Sequence, residues 1–145
     1  MSDGSEYPDF PRVAVGAVVV RERQVLLVRR GKAPARGLWA IPGGSVRLGE
    51  SLRQAAEREL LEETGLTIRA GEPVLTFESI HRDDDGRVRF HYVIVDLAAE
   101  YVAGAVRSAD DATDARWFSW AEIVSEPNVV PKTRELIQRL LVDVV

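Results

Sequence analysis

Three glutamates lie within one predicted helix at spacings that bring their carboxylates together. Glu59, Glu62 and Glu63 occupy positions i, i+3 and i+4, which share one face of a helix. Like charges at this spacing destabilise a helix by roughly 0.2–0.5 kcal/mol per pair, and the C-terminal half of a helix disfavours anions. A hard divalent cation with oxygen ligands, such as Mg²⁺, would offset this repulsion. The glutamates alone, however, favour the simpler interpretation of a solvated acidic face.

The residues around these glutamates form a longer pattern with fixed spacings. Residues 44–66 read GSVRLGESLRQAAERELLEETGL, with Gly44 followed after five residues by Glu50 and after seven more by a run that begins at Arg58. This arrangement resembles the Nudix box at every defined position, so the chain is similar to the Nudix (MutT-like) hydrolases. The resemblance implies an α/β/α sandwich with a mixed sheet, and Mg²⁺-dependent hydrolysis of a pyrophosphate bond.

The resemblance also implies a metal site. Glu62 and Glu63 match the family's metal-binding pair, and Glu59 matches a third acidic position that is either a ligand or an organiser of the attacking water. Gly44 belongs to the same predicted site. We expect Mg²⁺, with Mn²⁺ able to substitute, because the ligands are oxygens and the sequence has no cysteine and no histidine pair to favour zinc.

Further roles follow from positions next to the glutamates. Arg58 matches an arginine that orients the box glutamates, although an ordinary surface ion pair is the alternative. Glu50 matches an acid that is either part of the metal site or a partner of Arg58. Gly43 and Gly44 give the preceding loop a tight path against the helix, and we expect them to contact substrate. Trp39 matches a lead-in residue that is expected in the core.

A general base is expected outside the box. Family members often place a further acid on a loop before a late strand, and residues 109–118 (ADDATDARWF) resemble that loop. The spacing from Trp117 makes Asp111 the first candidate and Asp110 the second. Asp114 is expected to support Arg116. The alternative is that these acids only solvate or cap the loop.

Basic residues near a predicted hairpin are candidates for substrate binding. Arg87, Arg89 and His91 share one face by the two-residue period of a strand, and Arg82 lies across the turn. These side chains could bind phosphate or sugar, so we predict Arg82, Arg89 and His91 as substrate ligands. A solvated sheet face is the competing interpretation.

The elements that must position these residues can be predicted from periodicity and turn signals. The long helix begins after Ser51, where Gln54 completes a capping box, and ends at Gly65. The pattern Asp85-Gly86 indicates a hairpin turn. The predicted strands are 13–20, 24–30, 39–41, 74–81, 88–97 and 116–118, and a C-terminal helix is predicted over 132–142 with Leu136, Ile137, Leu140 and Leu141 as its apolar stripe. Together these elements predict an α+β fold, with a mixed sheet between helices.

The composition limits the class of protein. The 145 residues predict one domain over 1–145, with residues 1–11 as a flexible tail. The net charge, 19 − 23 = −4, argues against a nucleic-acid partner, and the absence of cysteine excludes disulfides and thiolate catalysis. No apolar run approaches the ~20 residues that span a bilayer, and the N-terminus resembles no signal or transit peptide. We expect a cytoplasmic protein with no membrane partner, and exposed sheet edges are compatible with a homodimer.

Three functions remain open at this level. The first is hydrolysis of ADP-ribose or another nucleoside diphosphate sugar, because residues 109–118 look like those of short ADP-ribose-type members. The second is a nucleoside triphosphate pyrophosphohydrolase. The third is a catalytically inactive nucleotide sensor, which the intact box disfavours and for which the chain offers no room for an attached DNA-binding domain.

Overall fold

The computed structural model describes residues 5–142, and the side chains of residues 5–140. Within that range the strands are β1 (Arg12–Arg21), β2 (Gln24–Arg30), β3 (Trp39–Ala40), β4 (Gly43–Ser45), β5 (Thr67–Arg82), β6 (Val88–Ala103) and β7 (Ala112–Ser119). The helices are α1 (Leu52–Thr64), α2 (Trp120–Ser125) and α3 (Pro131–Ile137), and α3 continues as a π-helix over Gln138–Val142.

The strands form a mixed sheet in the order β3-β2-β1-β6-β5, with β4 paired to β1 and β7 paired to β2. The pair β1–β6 is parallel, whereas β5–β6, β1–β4 and β2–β7 are antiparallel. Gly16 of β1 lies opposite Asp96 of β6 on one side and opposite Gly43 of β4 on the other. This row of three residues positions much of the site described below.

Helices cover both faces of the sheet. On one face α1 buries Ala55, Ala56 and Leu60 against strand residues such as Val15 and Leu97. On the other face Ile123 of α2 and Leu136 and Ile137 of α3 pack with Trp39 and Phe118. The predicted α+β fold, with a mixed sheet sandwiched by helices, is confirmed.

The caps of α1 are those that the sequence predicts. The Ser51 side chain accepts a hydrogen bond from the Gln54 N–H (3.1 Å), and the Gln54 side chain accepts one from the Ser51 N–H (2.9 Å). Gly65 ends the helix with φ of 76°, in the left-handed region that glycine adopts readily. The helix therefore has fixed ends, and its glutamates have a fixed register.

The hairpin is longer than predicted. Strand β5 begins earlier than the predicted 74–81, because Gly71 and Pro73 interrupt the strand pattern there, and β6 begins at Val88 as predicted but extends beyond Leu97 to Ala103. The structure accommodates Gly71 and Pro73 as register shifts between Ala70 and Leu75. The turn at Asp85-Gly86 is as predicted, with Gly86 at φ of 81°.

Two further elements differ from the prediction. The segment 43–45 forms the short strand β4 instead of a loop, because it pairs with β1. Helix α2 follows β7 directly and was not predicted, although Ser119 and Glu122 form a second capping box that marks its start. In the C-terminal helix Leu136 and Ile137 are buried as expected, whereas the side chain of Leu141 lies outside the described residues.

The predicted N-terminal tail is held in part. Residues 1–4 lie outside the described range. The Tyr7 N–H donates to the Arg89 carbonyl (2.8 Å), the Tyr7 hydroxyl donates to Asp83 (2.9 Å), and Glu6 pairs with Arg89 (3.1 Å). Glu6 and Tyr7 are therefore attached to the β5–β6 hairpin and are not loose. Among the described residues, no helix is long and apolar enough to cross a membrane.

Candidate active site

Arg58 connects the acidic residues of the box. Its guanidinium donates to both carboxylate oxygens of Glu50 (2.6 and 2.9 Å), to Glu59 (2.9 Å) and to Glu62 (3.2 Å). It also donates to the carbonyl of Ser45 (3.1 Å), which ties α1 to β4. The bidentate contact and the N–H of Arg47 hold the pKa of Glu50 at about 2, so Glu50 is an ionised anchor for Arg58.

Glu63 has a different environment from its neighbours. Only 6% of the residue is exposed, and its carboxylate accepts one long hydrogen bond, from the Gly43 N–H (3.4 Å). Burial, together with the nearby charge of Glu59, raises the pKa of Glu63 to about 8. Burial also raises the pKa of Glu59, against the opposing effect of Arg58. The end of α1 thus carries one buried acid, Glu63, and one half-buried acid, Glu59, and the pKa of each is raised.

The two glycines before α1 leave room for these acids. A Cβ on Gly44 would lie 2.5 Å from the carboxyl carbon of Glu59, and a Cβ on Gly43 would collide with the backbone of β1. Side chains at either position would therefore displace the carboxylates or the strand. Glycine at 43 and 44 is a steric requirement of the site, in addition to shaping the turn.

A cavity of about 1030 Å³ lies beside the acids. Its volume is typical of a site for a ligand of nucleotide size. It is lined by Gly43, Gly44, Glu59, Glu63 and Asp111 among the predicted residues. Basic side chains line the same cavity: Arg12, Arg30, Lys32, Arg47 and Lys132. The combination of buried acids and surrounding cations suits an anionic ligand that is bound together with a metal ion.

The acids fit a divalent cation by their chemistry. Glu62 is directed to Arg58 and weakly to Arg47 (3.9 Å), so within residues 5–142 no three acids converge on one point as they stand. Glu59 and Glu63 are nonetheless close enough for the charge of one to raise the pKa of the other. Oxygen donors with uncompensated negative charge are what Mg²⁺ requires, and a cation at Glu59 and Glu63 would remove the imbalance.

Asp111 lies at the edge of this cavity. Its carboxylate pairs with Lys32 (3.1 Å) and its side chain is 61% exposed. Its charge also contributes to the raised pKa of Glu63, which indicates that the two carboxylates are near each other. Asp110 does not line the cavity and has a positive φ of 54°. Of the two loop acids, Asp111 is the one that the structure brings to the glutamates.

The predicted substrate ligands on the hairpin lie away from this cavity. Arg82, Arg89 and His91 do not line the cavity; Arg82 donates to the Gly86 carbonyl (3.0 Å) and Arg89 pairs with Glu6. The cavity is lined instead by alternate residues on the other face of β5 and β6, among them His81 and Tyr92. Arg82, Arg89 and His91, which the sequence predicts as substrate ligands, thus lie on the face of the hairpin that does not line this cavity.

The expected partner of Arg116 is also different. Arg116 pairs with Glu122 (3.2 Å) and stacks over Phe118, with its guanidinium carbon 3.9 Å from the ring centroid. Asp114 instead accepts a hydrogen bond from the adjacent Ala115 N–H (2.8 Å). Trp39 is in the core as predicted, 6% exposed and edge-on to Phe118.

Asp96 was missed by sequence reasoning. It lines the cavity from β6 and is 5% exposed. The available signal was a single acid within the otherwise apolar run of residues 92–99, YVIVDLAA, which is unusual for a buried strand. Arg30 was also missed; it lines the cavity, and its charge lowers the pKa of Glu63.

The class of this protein is defined by a mixed sheet between helices and by the acidic end of α1, which faces the glycines of β4. Comparison with known proteins identifies the family. A family model for the NUDIX domain matches residues 10–140. A MutT NUDIX hydrolase from Burkholderia pseudomallei has a crystal structure that superposes with a TM-score of 0.75 at 29% identity, over 91% of this chain and 99% of that one. The chain belongs to the NUDIX family.

Two sequence relatives have named activities. The ADP-ribose pyrophosphatase of Methanocaldococcus jannaschii is 32% identical over 108 residues, which are 74% of this chain and 62% of that protein. The CTP pyrophosphohydrolase of Escherichia coli is 39% identical over 75 residues, which are 51% of this chain and 53% of that protein. The chain thus spans less than two thirds of the length of each.

Proposed function

We propose that the chain hydrolyses the pyrophosphate bond of a nucleoside diphosphate joined to another moiety, with Mg²⁺ as cofactor and Mn²⁺ as a substitute. The observation that carries this proposal is the pair of acids formed by the half-buried Glu59 and the buried Glu63, in a cavity that is also lined by Arg30 and Arg47. Such a site suits phosphates that are bound through a metal ion. The family membership supports the same reaction class.

Glu59, Glu62 and Glu63 would hold the cation, together with the backbone of Gly44. When bound, the cation would neutralise phosphate charge and lower the pKa of a ligated water. Arg58 holds Glu50, Glu59 and Glu62 in place through its hydrogen bonds, so it is a positioning residue. Asp111, beside Lys32 at the edge of the cavity, is the group that we propose to accept a proton from the attacking water.

The preferred substrate in this proposal is ADP-ribose or another nucleotide sugar. The relative from M. jannaschii supports it, and a cavity of about 1030 Å³ can hold both halves of such a molecule. The E. coli relative favours a nucleoside triphosphate as the second candidate. The inactive sensor is the alternative of another class. A small-molecule nucleotide substrate is compatible with a cytoplasmic location, which we also propose.

A substrate panel tests the proposal. The purified protein is incubated with ADP-ribose, NADH, diadenosine polyphosphates, CoA and nucleoside triphosphates, each with Mg²⁺, with Mn²⁺ or with excess chelator, and products are separated by chromatography. We expect ADP-ribose to give AMP and ribose 5-phosphate in both metals and no product in chelator. Full turnover in chelator would reject the metal-dependent mechanism, and tight nucleotide binding without hydrolysis would favour the sensor.

A further inference from the structure

Asp96 is a buried carboxylate that the proposed reaction does not use. It is 5% exposed, and its carboxylate makes no hydrogen bond or ion pair with any residue in the described part of the chain. In the same part of the chain, no side-chain oxygen or nitrogen atom is both fully buried and without a hydrogen-bond partner. Since the two Asp96 carboxylate oxygens have no partner, they cannot be fully buried, and they reach the surface of the cavity that Asp96 lines. The carboxylate therefore faces the cavity, where a ligand can reach it.

Leaving this carboxylate without a partner is costly for the fold. Burial alone raises the pKa of Asp96 to about 6, which reflects the loss of water around the charged form. The neighbouring strand makes space for it, because a Cβ on Gly16 would collide with the Asp96 Oδ1 atom and lie 2.9 Å from Ile41. A buried acid with room around it and no protein donor fits a hydrogen-bond donor supplied by a ligand.

The position of Asp96 relative to the acidic end of α1 suits the base of a nucleotide. Asp96, Gly16 and Gly43 lie in one row across three adjacent strands, and the Gly43 N–H donates to Glu63. Two strand spacings separate the backbone of Asp96 from that of Gly43 by roughly 10 Å. This is comparable to the distance between a phosphate and the far edge of its base.

The side chains that line the cavity next to Asp96 are suited to packing against a flat ring. Leu75 lies opposite Asp96 in the β5–β6 pairing and Phe77 lies opposite Ile94, so Phe77 is the diagonal neighbour of Asp96 on the same face. Phe77, Ile94 and Ile41 line the same cavity. An aromatic side chain beside a hydrogen-bonding group is the usual combination for holding a base.

We propose that Asp96 is a specificity residue that accepts a hydrogen bond from the exocyclic amino group of adenine or cytosine, with Phe77 packed against the ring. Uracil and hypoxanthine present a carbonyl oxygen at the corresponding position, which a carboxylate repels. The inference rests on the proposed function, since the phosphates must lie near Glu59 and Glu63 for the base to reach Asp96. The substrate class is then narrowed to nucleotides of adenine or cytosine.

Binding of mononucleotides tests this inference without any turnover, because they contain no pyrophosphate bond. Calorimetric titrations of the whole chain with Mg²⁺ compare CMP with UMP and AMP with IMP. We expect the amino-bearing member of each pair to bind about 10- to 100-fold more tightly, as for a hydrogen bond to a charged group. The Asp96→Asn variant should abolish this preference, because its amide can donate to a carbonyl as well as accept from an amine.

The control is Glu100→Gln on the same strand, where the side chain is exposed and paired with Arg69. It should keep the preference of the wild type. Equal binding of UMP and CMP by the wild type, no binding of any mononucleotide, or an unchanged preference in Asp96→Asn would each overturn the inference. If Asp96→Asn does not fold, the inference is judged from the wild type alone, by whether it binds CMP more tightly than UMP and AMP more tightly than IMP. If the wild type prefers CMP to UMP and AMP to IMP but hydrolyses no substrate of the panel, the proposed function is rejected, whereas the inference about Asp96 is retained.

Discussion

Three glutamates of one helix face differ in what surrounds them. Glu62 is 38% exposed at its side chain and pairs with Arg58, whereas Glu59 contacts Arg58 from a more buried position. Glu63 is almost fully buried, and among the residues that the structure describes its donor is the Gly43 N–H. The repulsion expected from their spacing is thus balanced by Arg58 for two of the three, and it is concentrated at Glu63. Glu63 is therefore the residue whose neutralisation reveals most about the site.

Replacing Glu63 with Gln should separate catalysis from folding. We expect kcat/KM with Mg²⁺ to fall by about 100-fold or more, because one charged metal ligand is lost. Without metal, the free energy of unfolding should rise by about 1–3 kcal/mol, because a buried, poorly solvated acid is replaced by an uncharged amide. Initial rates and urea unfolding of the same preparation measure the two effects.

The matched control for this variant is Glu57→Gln. Glu57 belongs to the same helix but accepts a hydrogen bond from the Ala70 N–H (3.0 Å), which a glutamine oxygen can also accept. Its activity should be close to that of the wild type. Wild-type activity in Glu63→Gln would remove Glu63 from the metal site, and a lower stability would contradict the idea that its charge is uncompensated.

Asp111→Asn tests the general base. Loss of a general base typically lowers the rate by about 10²–10⁴-fold, so we expect kcat to fall in that range with little change in KM. Asn keeps the size of the side chain but cannot accept the proton. The ion pair with Lys32 is also lost, but it is exposed on both sides and contributes little to stability.

Asp110→Asn is the neighbouring control, because Asp110 does not line the cavity and its positive φ suits asparagine. It should retain full activity. If Asp111→Asn keeps a near wild-type kcat while Glu59→Gln loses it, the base lies within the box and the loop has only a structural role.

At the scale of elements, local signals predicted α1 well and the sheet less well. The capping box at Ser51, the final Gly65 and the spacing of the glutamates are all local, and each specifies its own conformation. The same is true of the turn at Asp85-Gly86. These elements could therefore be predicted without knowledge of the remainder of the chain.

Pairing between distant strands could not be predicted in the same way. Alternation groups Arg89 and His91 on one face of β6, but it does not tell which face is turned to the cavity. That choice depends on the parallel pairing of β1 with β6, which brings residues 12–19 next to residues 92–99. This pairing places the Asp96 side chain next to Gly16. Because the pairing joins distant parts of the chain, neither residue was recognised from the sequence.

At the scale of the whole molecule, the acids of the site lower the free energy of unfolding. Glu59, Glu63 and Asp96 all have a pKa raised chiefly by burial, so each folded acid has lost water that the unfolded chain retains. The apolar clusters on both faces of the sheet must offset these costs, since the net stability of a domain is small. Asp96 is the simplest of the three to test because burial alone raises its pKa.

The pH dependence of stability should reveal Asp96. Its pKa rises from the ordinary value of 3.8 to about 6 in the folded chain, so as the pH increases the unfolded state loses this proton first. The contribution of Asp96 to the free energy of unfolding is thus fully favourable below about pH 4 and is lost as the pH rises through about 6, by about 3 kcal/mol for a shift of this size.

Urea unfolding of the wild type and of Asp96→Asn between pH 4 and 7, without divalent cations, isolates this residue because the other acids are common to both. We expect the stability of Asp96→Asn relative to the wild type to increase across this range, while Glu100→Gln shows a constant difference. A constant difference for Asp96→Asn as well would mean that the carboxylate is solvated in the folded chain, and that the cavity admits water freely to the place where we put the base.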